Sequence, residues 1–204
     1  MIRCVIVAGA KIENYDRIKA FLTPDDYFVF CDSGLYHKQK LGVTPDFIVG
    51  DFDSAEKPKT DENILVLPTV KDDTDTFAAI KLMLEKGFKE FLLIGVIGER
   101  LDHTLGNVSI LLYLKEQCAK GVIIDDFSQM LLVEGKAKIK HSSCSYFSLI
   151  SLSDRLTGVD IKGAKYPLKN ATINSSFQYA ISNETVEDTE ISVQKGSALL
   201  IKVF

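Results

Sequence analysis

The feature that most constrains the fold is a change in hydrophobic period near residue 127. Before that point, short apolar runs without strict alternation are separated by stretches of helical spacing. Such runs are typical of strands covered on both faces, as in a parallel sheet. They lie at residues 4–8, 27–31, 47–50, 64–67, 91–95 and 122–125. The alternation predicts an open, mainly parallel α/β sheet in residues 1–126.

Two of the intervening stretches have the pattern of amphipathic helices. In residues 75–85, Phe77, Ile80 and Met83 recur at helical spacing, and residues 104–118 repeat the pattern. A helix with one apolar stripe buries that stripe against a neighbouring element. We therefore expect helices on the faces of the parallel sheet, in a three-layer α/β/α arrangement.

The second region has a period close to two and few helical stripes. Its short runs lie at residues 130–133, 136–140, 147–152, 157–161 and 191–204, the last of them interrupted. Thr, Ser, Val and Ile are frequent there and glycines supply turns, which favours a small antiparallel β-sandwich. We predict two domains, residues 1–126 and residues 127–204, with no proline-rich linker between them.

Charge and hydropathy exclude several classes of function. The chain has 24 Lys and Arg against 28 Asp and Glu, a net charge of −4, which argues against a nucleic-acid partner. Its apolar stretches are far shorter than the roughly 20 residues that cross a bilayer. The first residues resemble a buried strand more than a leader peptide, so a cytoplasmic protein without membrane attachment is expected.

Aspartates follow several of the predicted strands. Asp32 follows the second strand, Asp51 and Asp53 follow the third, and Asp72 and Asp75 stand between the fourth strand and a helix. Because parallel strands end at one edge of a sheet, these carboxylates are expected to converge there. A cluster of oxygen ligands without Cys or His favours a hard cation such as Mg²⁺, which shares its coordination with substrate phosphates.

A glycine- and arginine-containing turn follows the next strand, at residues 95–103. Its glycines allow close backbone approach, Arg100 offers a guanidinium fork, and the helix start offers free N–H groups. These groups predict a polyphosphate cradle. Considered one at a time, Thr74 and Asp102 are explained equally well as helix N-caps, and His103 is explained equally well as a surface residue. Their position at one edge of one sheet favours the functional interpretation.

Six segments in this order resemble the thiamine pyrophosphokinase family. They are CDSG at 31–34, PDFIVGDFDS at 45–54, KDDTDT at 71–76, GERLDHTLGN at 98–107, GAKYPL at 163–168 and ISNE at 181–184. The resemblance implies transfer of the β,γ-diphosphate of ATP to the hydroxyl of thiamine, with release of AMP. It also implies an ATP- and Mg²⁺-binding domain at residues 1–126, a thiamine-binding domain at residues 127–204, and a homodimer with its active sites at the subunit interface.

The resemblance also implies roles for individual residues. The Mg²⁺ ligands would be Asp51, Asp53 and Asp75, with Asp32 and Asp72 nearby. The nucleotide-binding residues would be Asp32, Thr74, Arg100, Asp102, His103 and Asn107. The thiamine pocket would include Tyr166, Ser182 and Asn183. The residues expected to act in catalysis are Asp51, Asp53, Asp72, Asp75, Arg100 and Asp102. Transfer requires charge neutralisation and a proton acceptor for the attacking hydroxyl, for which Asp72 and Asp102 both remain candidates.

Two other functions fit part of the pattern. The segment around Asp51 and Asp53 is similar to the DxD motif of haloacid-dehalogenase-like phosphatases, although that motif normally follows the first strand and here it follows the third. A non-catalytic nucleotide or thiamine sensor on the same fold is the second alternative. Dinucleotide dehydrogenases and P-loop kinases fit less well, because neither GxGxxG nor GxxxxGK[ST] is present.

Overall fold

The structure is a computed structural model that describes residues 2–50, 63–68 and 72–204. It divides into two compact units, Met1–Asp126 and Phe127–Phe204, called here unit 1 and unit 2. The predicted metal ligands Asp51 and Asp53 lie outside the described residues.

Within its described residues, unit 1 contains six parallel strands and four α-helices. The strands are β1 (Cys4–Val7), β2 (Tyr27–Cys31), β3 (Phe47–Gly50), β4 (Ile64–Val66), β5 (Glu90–Ile94) and β6 (Lys120–Ile124). The helices are α1 (Tyr15–Lys19), α2 (Lys38–Leu41), α3 (Asp75–Glu85) and α4 (Leu101–Glu116), and a 3₁₀ helix covers Asp32–His37.

The strand order in unit 1 is β4-β3-β2-β1-β5-β6. Strand β1 pairs with β2 on one side and with β5 on the other, with Val5 opposite Phe28 and opposite Leu92. From β1, the chain first adds β2, β3 and β4 on one side of the sheet and then adds β5 and β6 on the other side. The point between β1 and β5 is the topological switch point, where open α/β sheets bind their ligands.

The centre of this sheet is covered on both faces. All four residues of β1 are fully buried, and β2 and β5 each expose only their first residue appreciably. Helix α3 packs on β1, β2 and β3, while α4 packs on β6. The apolar stripe predicted for residues 75–85 accounts for this contact, because Ile80 and Met83 are fully buried. No helix among the described residues is long and apolar enough to cross a bilayer.

Unit 2 is built from antiparallel strands. They are β7 (Ser128–Val133), β8 (Lys136–Ile139), β9 (Tyr146–Ser151), β10 (Arg155–Ala164), β11 (Leu168–Asn174), β12 (Thr185–Ser192) and β13 (Ala198–Val203). One sheet has the order β7-β13-β9 and the other has the order β11-β10-β12-β8. Buried side chains from both sheets form one core, for example Phe147 and Leu200 from the first and Ile161 and Ile191 from the second. The predicted fold class, a mainly parallel α/β sheet flanked by helices and then antiparallel sheets, is therefore observed.

Several element boundaries differ from the predicted ones. The sequence pattern does not predict β11 or residues 185–190 of β12, because these strands expose most of their polar side chains and bury few apolar ones. Pairing with neighbouring strands stabilises them instead, and exposed cross-strand ion pairs such as Lys138 with Glu190 at 2.8 Å add little. Helix α4 begins one turn earlier than the apolar spacing indicates, at Leu101, whose side chain is exposed.

Candidate active site

A cleft of about 850 Å³ lies in unit 1 at the carboxyl ends of the central strands. The turns that line it follow β1, β2 and β5, and the remaining wall is the start of α3. The cleft therefore lies at the switch point of the sheet. This is the edge where the sequence predicts that the acidic turns converge.

One wall of the cleft is acidic. Asp32 begins the 3₁₀ helix directly after β2 with a φ of +42°, and Asp75 is the first residue of α3. Oδ1 of each carboxylate is screened from solvent. Gly50 ends β3 against Asp32, where an added Cβ would lie 3.2 Å from the Asp32 Cα. The sheet and the start of α3 thus bring two of the predicted carboxylates into one cleft.

Helix α3 is fixed at the cleft by its N-cap. The Thr74 hydroxyl accepts a hydrogen bond from the Phe77 N–H at 3.2 Å, which is the usual N-cap interaction of threonine. The thiol of Cys31 donates to the backbone oxygen of Asp75 at 3.8 Å, which links the end of β2 to the same turn. Asp73, also in the cleft wall, forms an ion pair with Lys81, which lies nearly two turns into α3. Because Thr74 caps the helix, its hydroxyl has a structural role whether or not it also binds phosphate.

The opposite wall is the turn between β5 and α4. Gly95 has a φ of +65°, and a Cβ there would overlap the carbonyl oxygen of Ala8. Two polar side chains of α4 hold the turn. The amide of Asn107 donates to the Val96 oxygen at 2.8 Å, and the hydroxyl of Thr104 accepts from the Gly98 N–H at 3.1 Å. Asn107 is buried, so its position in the sequence motif is explained in part by support of this turn.

Arg100 and Asp102 form an ion pair at the edge of this wall. The guanidinium donates from Nη2 to Asp102 Oδ2 at 2.6 Å and from Nε to Oδ1 at 3.3 Å, and both side chains are about two-thirds exposed. The hydrogen bond from Arg100 holds the pKa of the Asp102 carboxyl below its usual value. An exposed pair of this kind contributes little to stability, so its guanidinium can exchange the carboxylate for a phosphate at small cost.

The structure brings together most of the predicted nucleotide-site residues that it describes. Those that line the cleft are Asp32, Thr74, Asp75, Arg100, His103 and Asn107. Of the described candidates in unit 1, Asp72 and Asp102 do not line it, although each adjoins a residue or turn that does. The described residues contain no group of three or more His, Cys, Asp or Glu side chains able to hold a metal ion. The metal site therefore stays a prediction, because two of its three expected ligands lie outside those residues.

The cleft is also lined by polar residues that the sequence analysis does not name as site residues, although all but Lys11 lie within its motifs. They are Lys11, Ser33, Asp73, Thr76 and Glu99. Lys11 is mostly exposed and pairs with Glu13 at 2.6 Å. The signal that could have found it is the one used for Asp32, namely a polar residue just after a buried strand of a parallel sheet.

Unit 2 brings its three predicted residues together around one buried amide. Asn183 is 2% exposed, and its Oδ1 accepts from the N–H groups of Tyr166 at 3.0 Å and Glu184 at 2.9 Å. Its Nδ2 donates to the Tyr166 oxygen at 2.8 Å. Ser182 is exposed, with a φ of +54°, and its N–H donates to the Ser148 hydroxyl at 3.0 Å. Asn183 thus holds the backbone of Tyr166, a residue that is 59% exposed.

The fold and the cleft define a class of α/β proteins suited to binding phosphate esters. In this class, carboxylates, cations and a glycine turn meet at the switch point of the sheet. A family model described as the thiamin pyrophosphokinase catalytic domain matches residues 18–123, and one described as the thiamin pyrophosphokinase vitamin B1 binding domain matches residues 136–200. The chain belongs to the thiamin pyrophosphokinase family.

Individual relatives match along almost the whole chain. The thiamine pyrophosphokinase of Bacillus subtilis strain 168 is 28% identical over 206 residues, which cover 97% of this chain and 96% of that protein. A crystal structure of the B. subtilis thiamine pyrophosphokinase has a TM-score of 0.85 at 25% identity and covers 98% of both chains. A structure from Geobacillus thermodenitrificans has a TM-score of 0.83 at 26% identity, covering 100% of this chain and 98% of that one. The predicted family, enzyme class and fold class are confirmed, and the phosphatase and sensor alternatives are not favoured.

Proposed function

We propose that this chain transfers the β,γ-diphosphate of ATP to the hydroxyl of thiamine, forming thiamine diphosphate and AMP. The observation that carries the proposal is the cleft at the switch point, with an acidic wall and a glycine and arginine wall. Its volume is within the range of small-molecule sites in proteins. We assign ATP and Mg²⁺ to residues 1–126 and thiamine to residues 127–204.

We propose Asp51, Asp53 and Asp75 as the Mg²⁺ ligands, with Asp32 and Asp72 beside them. The described part of this set fits a hard cation, because Asp32 and Asp75 present carboxylates to one cleft and keep one oxygen of each away from solvent. When bound, Mg²⁺ would neutralise charge on the triphosphate.

Arg100 is proposed to bind the phosphates of ATP from the opposite wall. Its guanidinium is exposed and already oriented by Asp102, so a phosphate can replace the carboxylate as the acceptor of its two N–H groups. For the proton acceptor we favour Asp72 over Asp102, because Asp72 stands three residues before the proposed Mg²⁺ ligand Asp75.

Tyr166, Ser182 and Asn183 are proposed to form part of the thiamine pocket, and Asn183 also supports the Tyr166 backbone. The Tyr166 ring is exposed while its backbone is fixed by the Asn183 amide. Thiamine carries a cationic ring, and cations are attracted to the face of an aromatic side chain. Lys165, whose Nζ lies 5.7 Å from the centre of the Tyr166 ring, shows that a cation is accommodated there.

A homodimer is part of the same proposal. Unit 2 exposes several large apolar side chains, including Tyr146, Phe177 and Ile181 in addition to Tyr166. Exposed apolar patches of this kind mark surfaces that bind a partner or ligand. Sedimentation should give twice the mass of the chain, and a monomer at micromolar concentration would contradict this part. A cytoplasmic location, with access to ATP, is also proposed.

The function is tested by incubating the protein with ATP, Mg²⁺ and thiamine and separating the products by chromatography. We expect AMP and thiamine diphosphate in equal amounts, with none formed in excess EDTA. Asp75→Asn should lower the rate at least about a hundredfold, whereas the matched control Asp154→Asn, on the surface of unit 2, should retain it. Thiamine-independent release of inorganic phosphate would support the phosphatase instead, and ATP binding without products would support the sensor.

A further inference from the structure

His37 is a buried histidine that lies outside the sequence motifs of the proposed active site. It ends the 3₁₀ helix Asp32–His37 and is 7% exposed. Its Nε2 lies 3.0 Å from the carbonyl oxygen of Ala10 and its Nδ1 lies 2.7 Å from the Tyr15 hydroxyl. The ring therefore connects the 3₁₀ helix to the turn after β1 and to helix α1.

The partners determine the state of the ring. A carbonyl oxygen can only accept, so Nε2 carries a proton and donates to Ala10. In the neutral ring Nδ1 then accepts from the Tyr15 hydroxyl. Burial lowers the pKa of His37 more than the hydrogen bond to Ala10 raises it, and Lys40 from α2 lowers it further, so the neutral ring is favoured. Both ring nitrogens are thus committed to fixed partners.

The turn that His37 holds is a wall of the cleft. Gly9, Ala10 and Lys11 all line it, as do Asp32 and Ser33 at the other end of the 3₁₀ helix. Ala10 is held from two sides, because its N–H donates to the Gly95 oxygen at 2.8 Å while its carbonyl accepts from His37. The hydrogen bond from His37 therefore fixes residues 9–11 relative to the 3₁₀ helix, and the bond to Gly95 fixes them relative to the turn after β5.

We propose that His37 is a positioning residue for the nucleotide: it holds residues 9–11 in place against the cleft and so sets the affinity for the phosphates of Mg-ATP. This inference rests on the proposed function for the identity of the ligand. His37 does not line the cleft itself, so it acts through Ala10 and not by contact with the nucleotide. Loss of the hydrogen bond leaves the turn free to move, and ordering it again on binding reduces affinity.

The test is calorimetric titration of the full chain with α,β-methylene-ATP and Mg²⁺, which requires neither thiamine nor turnover. His37→Leu removes both ring nitrogens and should weaken binding about fivefold, the effect of one hydrogen bond. His37→Gln places an amide donor within reach of the Ala10 oxygen and should stay within about twofold of the wild type. In steady-state assays His37→Leu should raise the KM for ATP and leave the KM for thiamine and kcat nearly unchanged.

An unaltered nucleotide affinity in His37→Leu would overturn the inference, as would an equal loss in both variants that affects ATP, thiamine and kcat alike. If His37→Leu does not fold, Tyr15→Phe tests the orientation of the same ring, because it removes the hydroxyl 2.7 Å from Nδ1 that holds Nε2 towards Ala10. It should weaken ATP binding selectively, and full affinity would contradict the proposal. If nucleotide binding follows this pattern but no thiamine diphosphate forms, the proposed function fails and the positioning role stands.

Discussion

The buried amide of Asn183 provides the sharpest test of the structure of unit 2. The substitution Asn183→Ala removes three hydrogen bonds, of 2.8, 2.9 and 3.0 Å, from a residue that is 2% exposed. It leaves two backbone N–H groups and one carbonyl without those partners. At about 1 kcal/mol for each bond, with an added penalty where a group stays buried, the free energy of unfolding should fall by about 2–4 kcal/mol.

The assay is urea denaturation followed by far-UV circular dichroism. Asn183→Asp keeps acceptors for the two N–H groups but loses the donor to Tyr166, so its stability should lie between those of the wild type and Asn183→Ala. The matched control Asn174→Ala changes the same residue type at an exposed position in β11 and should cost less than about 0.5 kcal/mol. An equal, small effect of the two alanine substitutions would refute the idea that this amide holds the Tyr166 segment.

Three further predictions concern unit 1. Arg100→Lys should raise the KM for ATP about tenfold, because an ammonium cannot replace the guanidinium fork on phosphate; an unchanged KM would remove Arg100 from the site. Asp102→Asn should leave the acidic limb of the pH profile of kcat unmoved, whereas loss of that limb would identify Asp102 as the base. The pKa of His37 is lowered from 6.5 by burial and by Lys40, so the unfolded chain binds a proton at higher pH than the folded chain. The stability of the wild type relative to His37→Gln should therefore decline as the pH falls below about 6.5, and a constant difference in denaturation experiments from pH 8 to pH 5 would contradict this.

The parallel sheet was predictable because the apolar runs of its strands indicate that both faces are buried. β1 and β5 are apolar runs that follow no alternation, and they proved to be buried on both faces. Strand β11 could not be found in this way, since its stability comes from pairing with β10 and not from an apolar pattern. Short elements such as α1, which buries Ile18 alone, likewise depend on tertiary contacts.

The candidate site shows a similar division. Asp32, Asp75 and Arg100 were predictable because strand ends in a parallel sheet share one edge and these residue types bind cations and phosphate. The supporting roles of Asn107 and Asn183 were not, because a motif gives the residue type but not the backbone groups that its amide contacts. His37 was missed for a related reason: its partners, Ala10 and Tyr15, are distant in sequence and carry no motif.

The central claim, that unit 1 delivers the terminal diphosphate of ATP to thiamine as one group, is tested most directly by the fate of a label. With ATP labelled at the β-phosphorus, Mg²⁺ and thiamine, we predict one labelled thiamine diphosphate for each AMP released. Label recovered in ADP or inorganic phosphate, or a thiamine monophosphate that precedes the diphosphate, would contradict it.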